Sequence, residues 1–305
     1  MKTNVNMTAE RIHVALVADG RYLPGLAAAR ASIAAACSDP SRLEFHEFGS
    51  DAALAERIRR DFGTYKGSPM AFLRLYLPEL LPDCDWVVYS DVDVLWFADV
   101  CELWDLRDES REVMWVRDIP STRREAAAWQ RRLNPGFDPL KYGCSGVMLM
   151  NLRRLRESRF LERAVEFTAR EGVLKYVDQD ILNSLCHDTC GMLPAKWNVI
   201  RDCPRLAFRS GRPDCVMHII GIGQRFDGRD RGRLPQFDIW YRFAVAAGVL
   251  RSGPEPASPG LRFAWALAAL LQPAMSLLPL PDSILRAAFF ARLRRSMLAK
   301  GARWG

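Results

Sequence analysis

Two aspartates, Asp91 and Asp93, stand one residue apart where the apolar run Trp86-Val87-Val88-Tyr89 gives way to Ser90-Asp91-Val92-Asp93-Val94-Leu95. Side chains alternate along an extended segment, so residues i and i+2 project to the same side. Two carboxylates placed this way at the end of a buried strand can close on one hard divalent cation, leaving coordination positions for phosphate oxygens and water. A polar turn without any ligand would carry the same tripeptide. The pair therefore takes its meaning from what else the chain brings to that edge.

The elements that must position the pair follow from periodicity. Residues 11–18 (RIHVALVA) read as a fully buried strand ending at Asp19-Gly20, and Leu26, Ala27, Ala29, Ile33 and Ala34 give the following helix a mixed apolar face. Residues 42–48 alternate as a second strand, and 52–60 follow as a second helix. Ser68 and Pro69 start a helix that Pro82 ends, leading into the Asp91/Asp93 strand. Residues 112–117 form a strand ending at Asp118, an irregular arginine-rich passage runs to about Tyr142, and 146–151 is again an apolar strand. Helices are expected over 158–170 and from Tyr176, the latter with the acidic first turn that the macrodipole favours. Short extended pieces at 194–199 and 215–220 close the series, the second running into His218-Ile219-Ile220-Gly221. Strands alternating with helices argue for an α/β fold with a mostly parallel sheet.

In an open α/β sheet, ligands bind beyond the carboxyl ends of the strands. Asp19, Asp91, Asp93, Asp118 and His218 all stand at such ends. Four carboxylates and an imidazole left unpaired at one edge would be costly to bury. A metal–diphosphate complex supplies the missing counter-charges in both directions, and Arg74, one turn into its helix, can reach the same edge.

The chain has 305 residues, 49% apolar and 26% charged, which suits a globular protein of one large domain or two small ones. The N-terminal stretch lacks the apolar core of a secretory signal and the eight cysteines are scattered, so a reducing cytoplasmic setting is expected. Cys186, His187, Cys190 and Cys203 cluster in sequence, but their spacing matches no zinc pattern well. Of the net charge of +7, most arises from Arg251 onward, where eight basic residues face two acidic ones. That places the basicity in a C-terminal segment and argues against a nucleic-acid-binding face. Composition breaks at SGPEPASPG. Beyond it, residues 263–281 carry no charge, and Leu285, Phe289, Leu293 and Met297 repeat at i, i+4 among arginines. A helix lying on an anionic membrane surface through residues 261–300 is expected, with packing on the domain as the other reading. Pro273, Pro279 and Pro281 disfavour a straight span.

Six ordered blocks between Ile12 and Gln224 carry a resemblance to a known family: VALVADGRYLPGLAAARASI, AFLRLYLPELLPDCDWVVYSDVDVL, CSGVMLMNL, YVDQDILN, LPAKWNV and HIIGIGQRF. Together they resemble glycosyltransferase family 8, the retaining nucleotide-sugar transferases that include glycogenin and bacterial lipopolysaccharide galactosyl- and glucosyltransferases. The resemblance implies a GT-A fold, a Rossmann-like mostly parallel mixed sheet flanked by helices, over residues 10–250. Residues 251–305 would follow as a proline-rich linker and a helical, membrane-associating tail.

The resemblance also implies roles. Asp19, beside Ala18, would bond the uracil, and Tyr22 would stack on the base. Asp91 and Asp93, flanking Val92, would hold Mn²⁺ on the UDP-sugar diphosphate with His218 as third ligand; an imidazole in the set favours Mn²⁺ over Mg²⁺, the other candidate. Gly221 would let backbone approach the phosphates, with Gln224 nearby. Arg74, Asp118 and Asp178 would contact the donor sugar, with Cys144, Ser145, Gly146 and Asp180 around it. Gln179 would lie on the acceptor side, near the anomeric carbon. Gln179, Asp178 and Asp118 form the implied catalytic group, and front-face substitution is the implied path, double displacement being the alternative. Three residues depart from the family pattern: Cys144 replaces an Asn, Gln224 a Lys and Arg21 a small polar residue. They bear on the choice of donor sugar.

The expected protein is thus a Mn²⁺-dependent retaining hexosyltransferase. It would move galactose or glucose from a UDP-hexose to a saccharide or glycolipid acceptor of a lipopolysaccharide or other surface glycan, at the inner face of a bacterial inner membrane. A tethered UDP-sugar-binding protein that has lost activity is one alternative. A metal-dependent nucleotidyltransferase is another, against which the acid at Asp19 argues.

Overall fold

The structure, a computed structural model, describes residues 10–49, 51–172, 174–200, 207–209, 211–220, 226, 234–252, 258–275, 277–278 and 280–300. The chain runs through β1 (Ile12–Val17), α1 (Leu23–Ala36), β2 (Leu43–Phe48), α2 (Ala52–Phe62), a 3₁₀ segment (Met70–Tyr76) continuing into α3 (Leu77–Leu80), β3 (Trp86–Ser90), β4 (Val94–Trp96) and α4 (Val100–Trp104). Next come β5 (Val113–Arg117), α5 (Pro120–Leu133), β6 (Gly143–Asn151), α6 (Leu152–Glu157), α7 (Phe160–Glu171), α8 (Val177–Leu185) and β7 (Cys190–Met192). The short hairpin β8 (Phe208–Arg209) and β9 (Arg212–Pro213), then β10 (Val216–His218), α9 (Pro235–Ala246), α10 (Pro259–Met275) and α11 (Asp282–Ala299) complete the described chain.

Six strands form one sheet in the order β2-β1-β3-β6-β5-β7. β1 is parallel to β2 and β3, β7 is parallel to β5, and β6 is antiparallel to both of its neighbours, so β6 alone runs against the rest. Period-2 alternation explains why both faces are covered. Val87 and Tyr89 pack into one cluster with Phe62, Phe72, Leu152 and Phe160, while Trp86 and Val88 pack into the opposite cluster with Ile33, Trp96 and Trp104. Each aliphatic or Phe side chain buried this way contributes on the order of 1.5–3 kcal/mol. A third cluster joins Leu95, Phe97 and Met217 to α9 and α11. It rests on a two-stranded sheet in which β10 pairs antiparallel with β4, His218 opposite Val94. That pairing returns a distant part of the chain to the end of β3.

Three elements differ from the sequence reading. The passage after Asp118 is not irregular: α5 opens with Pro120 in its first turn and buries Thr122, Ala126, Ala127 and Gln130. Small residues make that contact, so no large apolar stripe marked it. The segment after Ser68 is a 3₁₀ run followed by a single α-helical turn, not one α-helix. Lastly, the stripe of α11 is buried: Leu285 is covered, and Phe289, Leu293 and Met297 pack in the third cluster beside Trp240 and Phe243. Arg294 donates to the buried Asp238 of α9 at 2.5 Å and stacks 5.0 Å over Trp265 of α10. The face read as lipid-facing is spent inside the protein. The most exposed apolar side chains of this region lie on α10 and just after it, at Phe263, Leu270 and Leu277, with Ile284 and Leu298 less exposed at the two ends of α11. Among the described residues, no helix is long and apolar enough to cross a membrane.

Candidate active site

β3 ends at Ser90, and Asp91, Val92 and Asp93 make the turn into β4. Backbone bonds fix that turn on both sides: Asp91 N donates to Gly146 O at 2.7 Å, and Ile219 N donates to Asp93 O at 2.7 Å. His218 Nε2 lies 3.2 Å from Asp93 Oδ1 and 3.8 Å from Asp91 Oδ2. The three residues' donor atoms fall within 4.8 Å of one another. His218 Nδ1 lies 3.1 Å from Asn198 Oδ1, an acceptor, so Nδ1 carries a proton and Nε2 is the atom turned to the carboxylates. Burial alone would depress the His218 imidazole, but Asp93 beside it outweighs burial and raises it well above its ordinary value. A metal bound here would take the place of any proton on Nε2.

A local irregularity makes room for this cluster. The β5–β6 register shifts between Trp115, opposite Met148, and Val116, opposite Cys144. Such a bulge re-aims the strand beside a site. At Gly146 a Cβ would stand 2.3 Å from His218 Cε1 and 3.1 Å from Asp91 Oδ2, so only glycine leaves the space open. Two carboxylates, an imidazole with an oriented free nitrogen and a cradle without a side chain fit a divalent cation such as Mn²⁺.

The buried Arg74 ties this corner to the next element. Its Nη2 donates to Asp91 Oδ1 at 2.9 Å, and Nη1 donates to Ser145 O at 2.8 Å and Ser145 Oγ at 3.1 Å. Its Nε lies 3.2 Å from Asp178 Oδ2, and the guanidinium sits 4.4 Å over the Tyr89 ring. Tyr89 Oη also donates to Asp91 Oδ1, at 2.7 Å. Burial pushes the Asp178 carboxyl up to about 6, with Arg74 pulling the other way.

α8 supplies the adjoining wall. Val177, at its first position, has φ 40°, a left-handed conformation that a β-branched residue adopts at a cost of roughly 1–3 kcal/mol. Gln179 is locked in orientation: its Nε2 donates to Asp118 Oδ2 at 2.7 Å and to Tyr142 Oη at 3.2 Å, while its Oε1 accepts from Ser145 N at 3.1 Å. Asp118 Oδ1 accepts from Ile119 N at 2.6 Å, and burial raises this carboxyl. Asn183 fixes α8 to β6 by bonding both Gly143 N and Gly143 O.

Asp19 Oδ2 accepts from Ser68 Oγ at 2.9 Å just beyond β1, and Tyr22 stands edge-on to Phe226. Opposite them, Tyr65 and Ser68 pair across a two-residue turn in which Lys66 and Gly67 both have positive φ, holding Lys66 at the rim. Asp19, Tyr22, Tyr65, Lys66 and Ser68 border one cleft of about 530 Å³.

Ala18, Asp19, Tyr22, Arg74, Asp91, Val92, Asp93, Asp118, Cys144, Ser145, Gly146, Asp178, Gln179 and His218 line that cleft together. Asp180 does not. It is fully buried behind the wall, with Oδ1 accepting from Tyr142 Oη and Oδ2 from Tyr176 N, so its expected place beside the donor is corrected to that of a brace. Gly221, Gln224 and Arg225 lie outside the described residues, as does Cys203. His187 and Cys190 are spent locally: His187 Nε2 accepts from Asp138 N, and Cys190 Sγ donates to His187 O. The sequence reading passed over Asn198, Tyr142, Asn183 and Lys66 as site residues and took Ser68 only as a helix start. Asn198 and Asn183 sat within the quoted blocks; Tyr142 and Lys66 gave no signal of their own.

A mostly parallel sheet with one reversed strand, carrying an Asp-x-Asp turn at the end of β3, is the GT-A architecture of glycosyltransferases. The galactosyltransferase LgtC, solved in complex with donor and acceptor sugar analogs, superposes with a TM-score of 0.58 at 22% identity, over 80% of this chain and 98% of that one. Residues 63–205 match the model of Glycosyl transferase family 8. Lipopolysaccharide 1,2-glucosyltransferase of Escherichia coli is 26% identical over 222 residues, 65% of this chain and 64% of the relative. Glucoside xylosyltransferase 2 of Mus musculus is 27% identical over 147 residues, 43% of this chain and 33% of the relative. Each match thus spans less than two thirds of the curated relative's own length.

Proposed function

We propose that this chain is a UDP-sugar-dependent, Mn²⁺-requiring retaining hexosyltransferase that moves galactose or glucose to a saccharide or glycolipid acceptor of a bacterial surface glycan. The observation that carries the reading is the convergence of Asp91, Asp93 and His218 beside Arg74 and Gln179 in one cleft that also holds Asp19 and Tyr22. Asp91, Asp93 and His218 would hold the cation. Bound there, it supplies Lewis-acid stabilisation of the diphosphate leaving group. Asp19 and Tyr22 take the base. Asp118 and Asp178 take the sugar hydroxyls, and Gln179 presents its amide dipole to the developing oxocarbenium charge. Asp118 is held by Ile119 N and Gln179, and Asp178 by Ser145 and Arg74, which orients both as hydrogen-bonding groups. That favours front-face substitution, in which the leaving phosphate takes the acceptor proton.

The test is UDP release from a panel of UDP-sugars with Mn²⁺ and no acceptor. We expect slow hydrolysis of UDP-galactose or UDP-glucose; no release from any donor would leave the inactive binding protein as the better reading.

We also propose that the chain acts on the cytoplasmic face of the inner membrane, held there by the exposed face of α10 rather than by α11. Phe263 is 71% and Leu270 67% exposed on that helix. Replacing both with Glu is expected to cut co-sedimentation with phosphatidylglycerol vesicles at least about tenfold while UDP binding stays unchanged, since each buried apolar side chain contributes roughly 1.5–3 kcal/mol. Unchanged sedimentation would end the proposal.

A further inference from the structure

At the opposite end of β1 from the cleft, four donor groups converge on the sheet edge. His13 Nδ1 and His46 Nε2 lie 3.0 Å apart, with their rings stacked at 5.2 Å. Cys84 Sγ joins them, the three donor atoms lying within 4.8 Å of one another. Glu44 brings an oxygen to 3.8 Å from His13 Nδ1 and another to 4.0 Å from His46 Nε2. Strand register produces this cluster. β1 and β2 are parallel with His13 opposite Glu44 and Ala15 opposite His46, so the three side chains share one face. Cys84 closes on them from the turn before β3.

A hydrogen bond between two imidazoles explains the 3.0 Å contact. It does not explain why a thiol and a carboxylate are both brought beside the same two rings. Tetrahedral zinc, at about 2.0–2.1 Å from nitrogen and 2.3 Å from sulfur, sets its ligand atoms roughly 3.3–3.6 Å apart. That falls between the 3.0 Å that separates the two imidazole nitrogens and the 3.8 and 4.0 Å from them to Glu44, with Cys84 Sγ within 4.8 Å. Cys84 is buried, while the His13 and His46 side chains are 21% and 18% exposed, which leaves an ion a way in. The other thiol-containing cluster among the described residues, Cys37, Asp99 and Cys101, is already accounted for: Asp99 Oδ1 accepts from Ser38 N and Cys101 N as the cap of α4.

We propose that His13, His46 and Cys84, with Glu44 as fourth donor, form a second metal site selecting a borderline-soft divalent cation, Zn²⁺ above all. Thiolate and imidazole suit Zn²⁺, whereas the carboxylate-rich cleft suits Mn²⁺, so one chain separates the two ions by donor chemistry. On binding, Cys84 releases its thiol proton to solvent, and the proton between the rings moves to the outer nitrogen of its own ring. A bound ion would tie β1, β2 and the approach to β3 together.

The test uses the full chain carrying Asp91→Asn and Asp93→Asn, so that the cleft does not compete. Titration with Co²⁺ is expected to give a near-ultraviolet thiolate-to-cobalt band that saturates at one equivalent, is displaced by Zn²⁺ and disappears in Cys84→Ser. His46→Gln is expected to weaken binding at least about tenfold, the loss of one ligand. No thiolate band, or a band that survives Cys84→Ser, overturns the site. X-ray absorption of Zn²⁺ bound to the same background, with the four donors intact, is expected to read one sulfur neighbour. A shell of nitrogen and oxygen alone overturns the site whether or not the Cys84 variant folds.

Discussion

Asp91→Asn combined with Asp93→Asn is expected to reduce UDP release from the preferred donor by at least about a thousandfold, or about 4 kcal/mol of transition-state stabilisation, while the chain stays folded. The two carboxylates are acceptors turned to a point shared with His218 Nε2, and each amide offers that point one neutral oxygen in place of an anion. The fold loses part of the charge pairing around Arg74 but keeps Asp178 against it, 3.2 Å from Arg74 Nε. The amide oxygen that replaces the Asp91 carboxylate can still accept from Tyr89 Oη and Arg74 Nη2, and the backbone bonds to Gly146 and Ile219 hold the turn without any side chain. Turnover and thermal unfolding measured on one preparation separate the two effects. Turnover within tenfold of the parent chain would show that the pair does not carry the reaction.

Much of this arrangement is legible in the sequence because its parts are local. β1 and β3 declare themselves by unbroken apolar runs, and the carboxylates declare themselves by standing where those runs stop. Orientation is not local. Asn198 matters through one bond to His218, and the β6 bulge that clears space at Gly146 is decided by pairing with β5. Lys66 reaches the rim through a turn with two positive φ angles, which its residue type does not announce. Asp180 is a different case. Two residues along a helix is a rotation of about 200°, so Asp178 and Asp180 could not both face the cleft. The α11 stripe teaches a related point: helical spacing says that a face is buried but not what buries it, and here α9 and the third cluster do.

Arg74→Met is expected to destabilise the protein by about 3–5 kcal/mol at neutral pH, the cost of leaving buried charges without their partner. Arg74 faces Asp91 and Asp178 at once, and its other donors satisfy Ser145, so no single neighbour can replace it. Methionine keeps much of the volume over the Tyr89 ring, which isolates the electrostatic part of the loss. Lysine should recover only a fraction, since one ammonium cannot reproduce a planar fork that reaches three groups. The pH dependence carries the sign. Asp178 already sits at about 6 with Arg74 present, held up by burial. A carboxyl raised above its unfolded value is protonated more readily in the folded chain, so folding loses stability as pH rises from the unfolded value to the folded one. Without Arg74 the folded value climbs further, the loss extends to higher pH, and acidification restores part of it. Urea unfolding of parent and variant at about pH 5 and about pH 7.5 should therefore show the gap narrowing on the acid side. A gap below about 1 kcal/mol at the higher pH would mean that Arg74 sits among these carboxylates without holding them together.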